Sequence, residues 1–153
     1  MSIYSSSPMQ DSRVYTNLAL AGTLPFVACA ILPLFGMETI PLLGSLKVVA
    51  SSYGMAIVCF VAGAHWGTYL AGEAGRRFNL FVTSNAIFLA VWFAFIGASV
   101  NWAIATQIVA FLLLLFIDYR LREDGVISEH YFGIRSIATL VAVISLLMIL
   151  LFR

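Results

Sequence analysis

Charge is what this sequence lacks. Only 10% of its 153 residues are Asp, Glu, Lys or Arg, whereas a soluble domain keeps about a quarter of its residues charged to wet its surface. So few charges cannot cover a globule, and most of the surface must meet lipid. The formal net charge of +1 excludes a nucleic-acid binder, which needs a basic face to displace counterions. There are two cysteines, Cys29 and Cys59, both inside apolar runs. They read as small packing residues, and with no CxxC and no metal-ligand spacing they offer no metal site. No P-loop, GxSxG, HExxH or dinucleotide fingerprint occurs. The opening MSIYSSSPMQDSR lacks the apolar core of a signal peptide and the Arg-rich pattern of an organelle presequence, so the first apolar run is expected to be retained.

What the sequence does have is long apolar runs: 62% of the residues are hydrophobic and the mean hydropathy is +1.02. Five runs are long enough to cross a hydrocarbon core of about 30 Å, which takes about 20 helical residues. They fall at Tyr15–Gly36, Leu46–Ala71, Asn79–Gly97, Trp102–Asp118 and Ile134–Phe152. In lipid only helices and closed barrels satisfy every backbone group, and these runs lack the two-residue alternation of a barrel. The expected fold is all-α: a polar tail over residues 1–14, then one five-helix transmembrane domain over residues 15–153. No internal repeat is visible, which counts against an inverted-repeat transporter.

The connections are short. GMETIPLLGS joins the first two runs, GEAGRRF the next pair, and Ala98-Ser99-Val100-Asn101 forms a tight hairpin. The longest, YRLREDGVISEHYFG, contains an Asp124-Gly125 turn and is the expected docking surface for a soluble partner. With five spans, Arg13, Arg76, Arg77, Arg120, Arg122 and Arg135 share a side, against Lys47 and Arg153 on the other. The positive-inside rule then puts the N-terminus in the cytoplasm and the C-terminus outside, with a bacterial inner membrane as the expected location.

Pro25 lies mid-way along the first run and Pro33 near its outer end. Each removes a backbone donor and crowds the preceding turn, which predicts a kink near Ala21–Leu24. The second run, with Gly54, Gly63 and Gly67, is the expected central helix. Ser52, Ala56, Gly63 and Gly67 fall near one face, as small-xxx-small packing patterns do. Gly54, Val58, Val61, His65 and Thr68 fall on the opposite face. The glycines would serve helix packing inside the chain or, alternatively, a homo-oligomer contact. Trp66 fits an interfacial aromatic anchor.

His65 stands six residues before the end of its run, about 9 Å below the boundary at 1.5 Å per residue. A polar ring at that depth needs protein or water around it. Following depth through alternating helix directions brings Asn85, Asp118, Arg135 and Thr139 to the same leaflet as His65, with Asn17 at the mouth of the first run. Asp118 shares a helical stripe with Gln107, Phe111 and Leu114, and Thr139 lies one turn beyond Arg135. Asp118 is expected to pair with Arg135 and to orient His65. The other leaflet offers little beyond Gln107, Ser51, Ser52 and Tyr53.

Tyr53-Gly54, then Phe60, Ala62-Gly63 and His65-Trp66-Gly67, and further on Asp118, Tyr131, Arg135 and Thr139 together resemble the uncharacterised transmembrane-protein-69-like family. Leu24-Pro25-Phe26 is similar to that family's first span. These are small multi-helix proteins of bacterial inner membranes and mitochondria, and the resemblance covers nearly the whole chain. Ala62 stands where a second glycine is usual, His130 where an aromatic is typical, and Ala138 where leucine precedes the threonine. The resemblance implies that His65, Asp118 and Arg135 form one feature. It carries no activity.

Two functional expectations follow. The leading one is a non-enzymatic accessory subunit or assembly factor of a larger inner-membrane complex, suggested by the small size, the short loops and the missing catalytic motifs. The alternative is a binding or proton-relay site for a quinone or lipid headgroup at the inner leaflet, with Trp66, Phe81 and Phe111 available to flank a ring. Haem ranks lower, since only His65 and His130 are available and His130 is expected in a loop. Ion conduction ranks lower too, since one leaflet has so little polar lining.

Overall fold

The computed structural model describes residues 8–71 and 79–151. The expected Arg76-Arg77 pair and Arg153 of the charge-bias argument lie outside the described residues. Among the described residues five stretches are long and apolar enough to cross a membrane: Arg13–Phe35, Leu46–Leu70, Leu80–Gly97, Val100–Glu123 and Glu129–Leu151. Their outward faces carry side chains such as Phe60, Leu112 and Leu140, all at least half exposed, which suits a lipid solvent rather than water.

The first stretch is broken. Helix α1 runs Pro8–Ala21, α2 runs Leu24–Ile31, and a 3-10 turn follows over Leu32–Phe35. Pro25 has no N–H to offer the Ala21 carbonyl and its ring would strike that turn, so α1 stops at Ala21. The expected kink is thus a full interruption at Gly22–Thr23. Tyr53 Oη donates to the Gly22 carbonyl at 2.9 Å, giving a part-buried carbonyl at the break a partner. Because α1 begins at Pro8, part of the segment expected to be tail is helical.

A small hairpin follows, β1 (Thr39–Ile40) pairing antiparallel with β2 (Gly44–Ser45). Its turn closes with Leu43 N donating to the Ile40 carbonyl at 3.1 Å, and Leu42 sits at φ 71. Helix α3 spans Leu46–Leu70 and is capped by Ser45, whose Oγ accepts from Val48 N at 3.3 Å. Helix α4 spans Leu80–Gly97 and is capped in the same way by Asn79. Helix α5 spans Val100–Glu123 and α6 spans Glu129–Leu151. Ser128 caps α6 by accepting from Tyr131 N at 3.2 Å.

Helix α3 packs on α4, α5 and α2; α5 packs on α3, α4 and α6; α1 and α2 lean on α6. The buried positions of α5 recur at helical spacing, among them Ile104, Gln107, Phe111, Leu114, Asp118 and Leu121. They face the stripe Gly54, Val58, Val61 and His65 of α3. Two corrections concern α3. It is not enclosed on all sides, and the centre of the bundle is shared between α3 and α5. Gly63 and Gly67 are exposed, and a methyl group built on either would meet nothing within 4 Å. Within one chain, then, they are not helix-packing positions. Ser52 and Ala56 point the same outward way.

A third correction concerns the loop expected between the last two spans. Helix α5 continues through Arg120 and Arg122 to Glu123, leaving residues 124–128 as the connection. Arg122 Nε pairs with Glu129 at 2.9 Å, and its guanidinium lies over the rings of Tyr119 and Phe132. Gly125, at φ 74, makes the turn where Asp124-Gly125 was expected.

Candidate intramembrane site

The site forms where three inward stripes meet near one end of the bundle. From α3 comes His65, from α5 Asp118 and from α6 Arg135 with Thr139. His65 Nε2 donates to Asp118 Oδ1 at 2.8 Å. Arg135 Nε donates to Asp118 Oδ2 at 3.1 Å. One carboxylate therefore uses both of its oxygens to tie three helices together. The side chains of His65 and Asp118 are only 3% and 2% exposed. At that burial a lone charge is prohibitive, and opposite charges with charge-assisted hydrogen bonds are what make it tolerable. Because a carboxylate only accepts, His65 carries a hydrogen on Nε2, and in the neutral ring Nδ1 is a bare acceptor.

Thr139 is buried one turn beyond Arg135 and lines the cavity described below. Asn85 does not join the cluster: its Nδ2 donates to the Phe81 carbonyl of its own helix at 2.7 Å. It lines a separate, more open groove between α3 and α4 with Cys59, Trp66 and Phe88. The reason is rotational, since depth alone does not decide which way a helix turns a residue. Trp66 and Phe81 pack edge to face at 4.6 Å and are absent from the cavity lining. Only Phe111 of the three expected aromatics lines it.

Beside Arg135 lies a cavity of about 280 Å3 between α1, α2, α3 and α6. At one end its wall carries Tyr15, Tyr131, Arg135 and Thr139. Toward the bundle interior it is apolar, with Phe26, Val61, Phe111 and Ala142. Tyr15 stacks on Tyr131 with ring centroids 5.3 Å apart. Among the described residues two buried polar atoms of this wall, Tyr15 Oη and Arg135 Nη2, have no hydrogen-bond partner, and neither has His65 Nδ1, which is outside the lining. Buried donors are normally paired, so two such donors in one cavity wall are a chemical feature. Tyr15 and Tyr131 are residues that charge-based depth reasoning passes over. The signal available in the sequence was a tyrosine at the polar end of each of two runs.

A second polar contact lies deeper. Gln107 is fully buried, and its Nε2 donates to the Ser51 carbonyl at 2.7 Å and to Ser51 Oγ at 3.2 Å. Its Oε1 sits against Gly54. This pairing fastens α5 to α3 well away from the cluster. A bis-histidine haem site would require both histidines; His65 is engaged by Asp118, and His130 stands in the first turn of α6, exposed, 3.4 Å from Thr16 Oγ1. His130 is helical, not in a loop as expected. Among the described residues no three His, Cys, Asp or Glu side chains gather as a metal set.

Five apolar helices around an inward polar cluster define a multi-pass α-helical membrane protein. The chain belongs to the family described as Protein of unknown function (DUF3429), which matches residues 12–151. No curated protein and no solved structure matches the chain.

Proposed function

We propose that this protein binds a membrane amphiphile, a quinone or a lipid headgroup, in the cavity beside Arg135. The observation that carries the reading is the pair of buried, partnerless donors, Tyr15 Oη and Arg135 Nη2, in the wall of a mainly apolar cavity. Intramembrane ionisable groups are costly and are retained where they serve a ligand or a proton path. Asp118 holds Arg135 by its Nε, so one terminal nitrogen of the fork is left for a guest. His65, with Asp118 on one nitrogen and a free Nδ1 on the other, suits a role in relaying a proton.

The test is extraction of the amphiphiles that remain bound after purification in mild detergent, identified by mass spectrometry. A defined quinone or lipid should accompany the wild type and be depleted in Arg135→Lys and Tyr15→Phe. If His65→Ala, Asp118→Asn and Arg135→Ala all keep the wild-type complement, the reading fails.

An accessory-subunit or assembly role is the second reading. Its support is the outward stripe of Ser52, Ala56, Gly63 and Gly67 on α3, which would let another transmembrane helix, of a partner or of a second copy, approach closely. Stoichiometric co-purification of partners tests it. The likeness to transmembrane-protein-69-like proteins belongs with these proposals, and so does a bacterial inner membrane with the N-terminus inside. A reporter fused to the C-terminus should read as external.

A further inference from the structure

The lining of the cavity says more about the guest than that it is amphiphilic. On the reading that the cavity binds a membrane amphiphile, we infer that the guest presents a neutral carbonyl oxygen, as a quinone or an ester does, and that it arrives sideways from the bilayer between α1 and α3. Both partnerless groups in the wall are donors, a phenol O–H and a guanidinium N–H, so the guest must bring an acceptor. Among the described residues Arg135 is the one charged side chain lining the cavity, and Asp118 offsets it at 3.1 Å. Those two charges cancel. A carboxylate or phosphate guest would leave an uncompensated negative charge in a buried, weakly polar place, which a neutral carbonyl avoids.

The shape agrees. The donors stand at the end of the cavity near the bundle's polar rim, while Phe26, Phe111 and Ala142 line the part nearer the middle of the bundle. A guest therefore lies with its head outward and its apolar body inward, as lipids of that leaflet do. At about 280 Å3 the space is at the small end for ligand pockets and suits a head rather than a whole long-chain amphiphile. The rest of the guest has an outlet. Leu18 on α1 and Phe60 and Ala64 on α3 line the cavity yet are exposed on the lipid-facing surface, and α1 packs on α6 instead of closing against α3.

Three probes sharing one alkyl chain separate the possibilities: decylubiquinone, monodecanoylglycerol and decanoate, scored as adducts of the detergent-solubilised full chain by native mass spectrometry. One or both neutral probes should bind, and which one does assigns the source as quinone or ester. Decanoate should bind more weakly. Tyr15→Phe should weaken the neutral adduct roughly three- to tenfold, the effect of one lost hydrogen bond. Ala64→Trp should block it, while Gly63→Trp, which faces the other groove, should leave it intact. Decanoate binding as tightly as the neutral probes overturns the inference, as does equal binding by Ala64→Trp. If no probe binds while a native amphiphile is still extracted from the wild type, the carbonyl inference fails and the binding reading stands; if neither is found, both fail.

Discussion

Gly54 and Gln107 occupy the same space as closely as two residues on neighbouring helices can. A methyl group on Gly54 would collide with Gln107 Oε1 and lie 3.0 Å from its Cδ. Gln107 cannot swing aside, because its Nε2 is bound to both Ser51 oxygens. Gly54→Ala should therefore destabilise the bundle by about 1–3 kcal/mol, the usual cost of overpacking, seen as a lower thermal midpoint in detergent. In the double variant with Gln107→Ala the loss should be less than additive. Full additivity would mean that the two side chains do not share this space.

Asp118 carries the second prediction. Replacing it with Leu strips Arg135 of its counter-charge and His65 of its acceptor, and breaking a buried pair in this way costs about 3–5 kcal/mol. Adding Arg135→Met removes the stranded charge. The double variant should recover about 2 kcal/mol of that loss and be left with about 1–3 kcal/mol for the unmet His65 hydrogen bond. Denaturation of the single and double variants in the same micelles checks this, and an equally unstable double variant would contradict the bridging role of Asp118.

The helices and the polar trio could be read from residue pattern, for a physical reason. Lipid forces long apolar runs, and a His, an Asp and an Arg inside such runs have few places to go except toward one another. What pattern does not carry is rotation about each helix axis. Asn85 shares the depth of His65 yet bonds its own Phe81 carbonyl. Gly63 and Gly67 form a regular stripe whose direction only packing decides. The role of Tyr15 was hidden because its surroundings depend on how the broken first span leans on α6. The end of α5 was misplaced for a different reason: Arg120 and Arg122 look like loop residues, but at the membrane edge a helix extends into water at no cost to its backbone bonds.

Tyr53→Phe is the third test. The hydroxyl donates to the Gly22 carbonyl at 2.9 Å, at the place where Pro25 breaks the first span. Losing it should cost about 0.5–1.5 kcal/mol and loosen the junction between α1 and α2. Hydrogen exchange should then rise at Gly22 and Thr23, with the α5 and α6 amides unchanged. Uniform change across the chain, or none, would show that the bond does not hold the break.

The last prediction concerns the hairpin at the opposite end. Leu42 sits at φ 71 with its side chain fully exposed, following Pro41 in a turn closed by Leu43 N on the Ile40 carbonyl. Proline followed by a residue of positive φ is the pattern of a type II turn, which favours glycine at that second position. An L-residue there costs about 1–2 kcal/mol through its Cβ, and the Leu42 side chain gains little intramolecular packing in return. Leu42→Gly should therefore relieve strain, offset in part by glycine's freedom in the unfolded chain, for a net gain of up to about 1 kcal/mol. Leu42→Val, β-branched and still less tolerant of positive φ, should be destabilising. If glycine lowers stability in detergent and valine does not, the turn conformation is wrong.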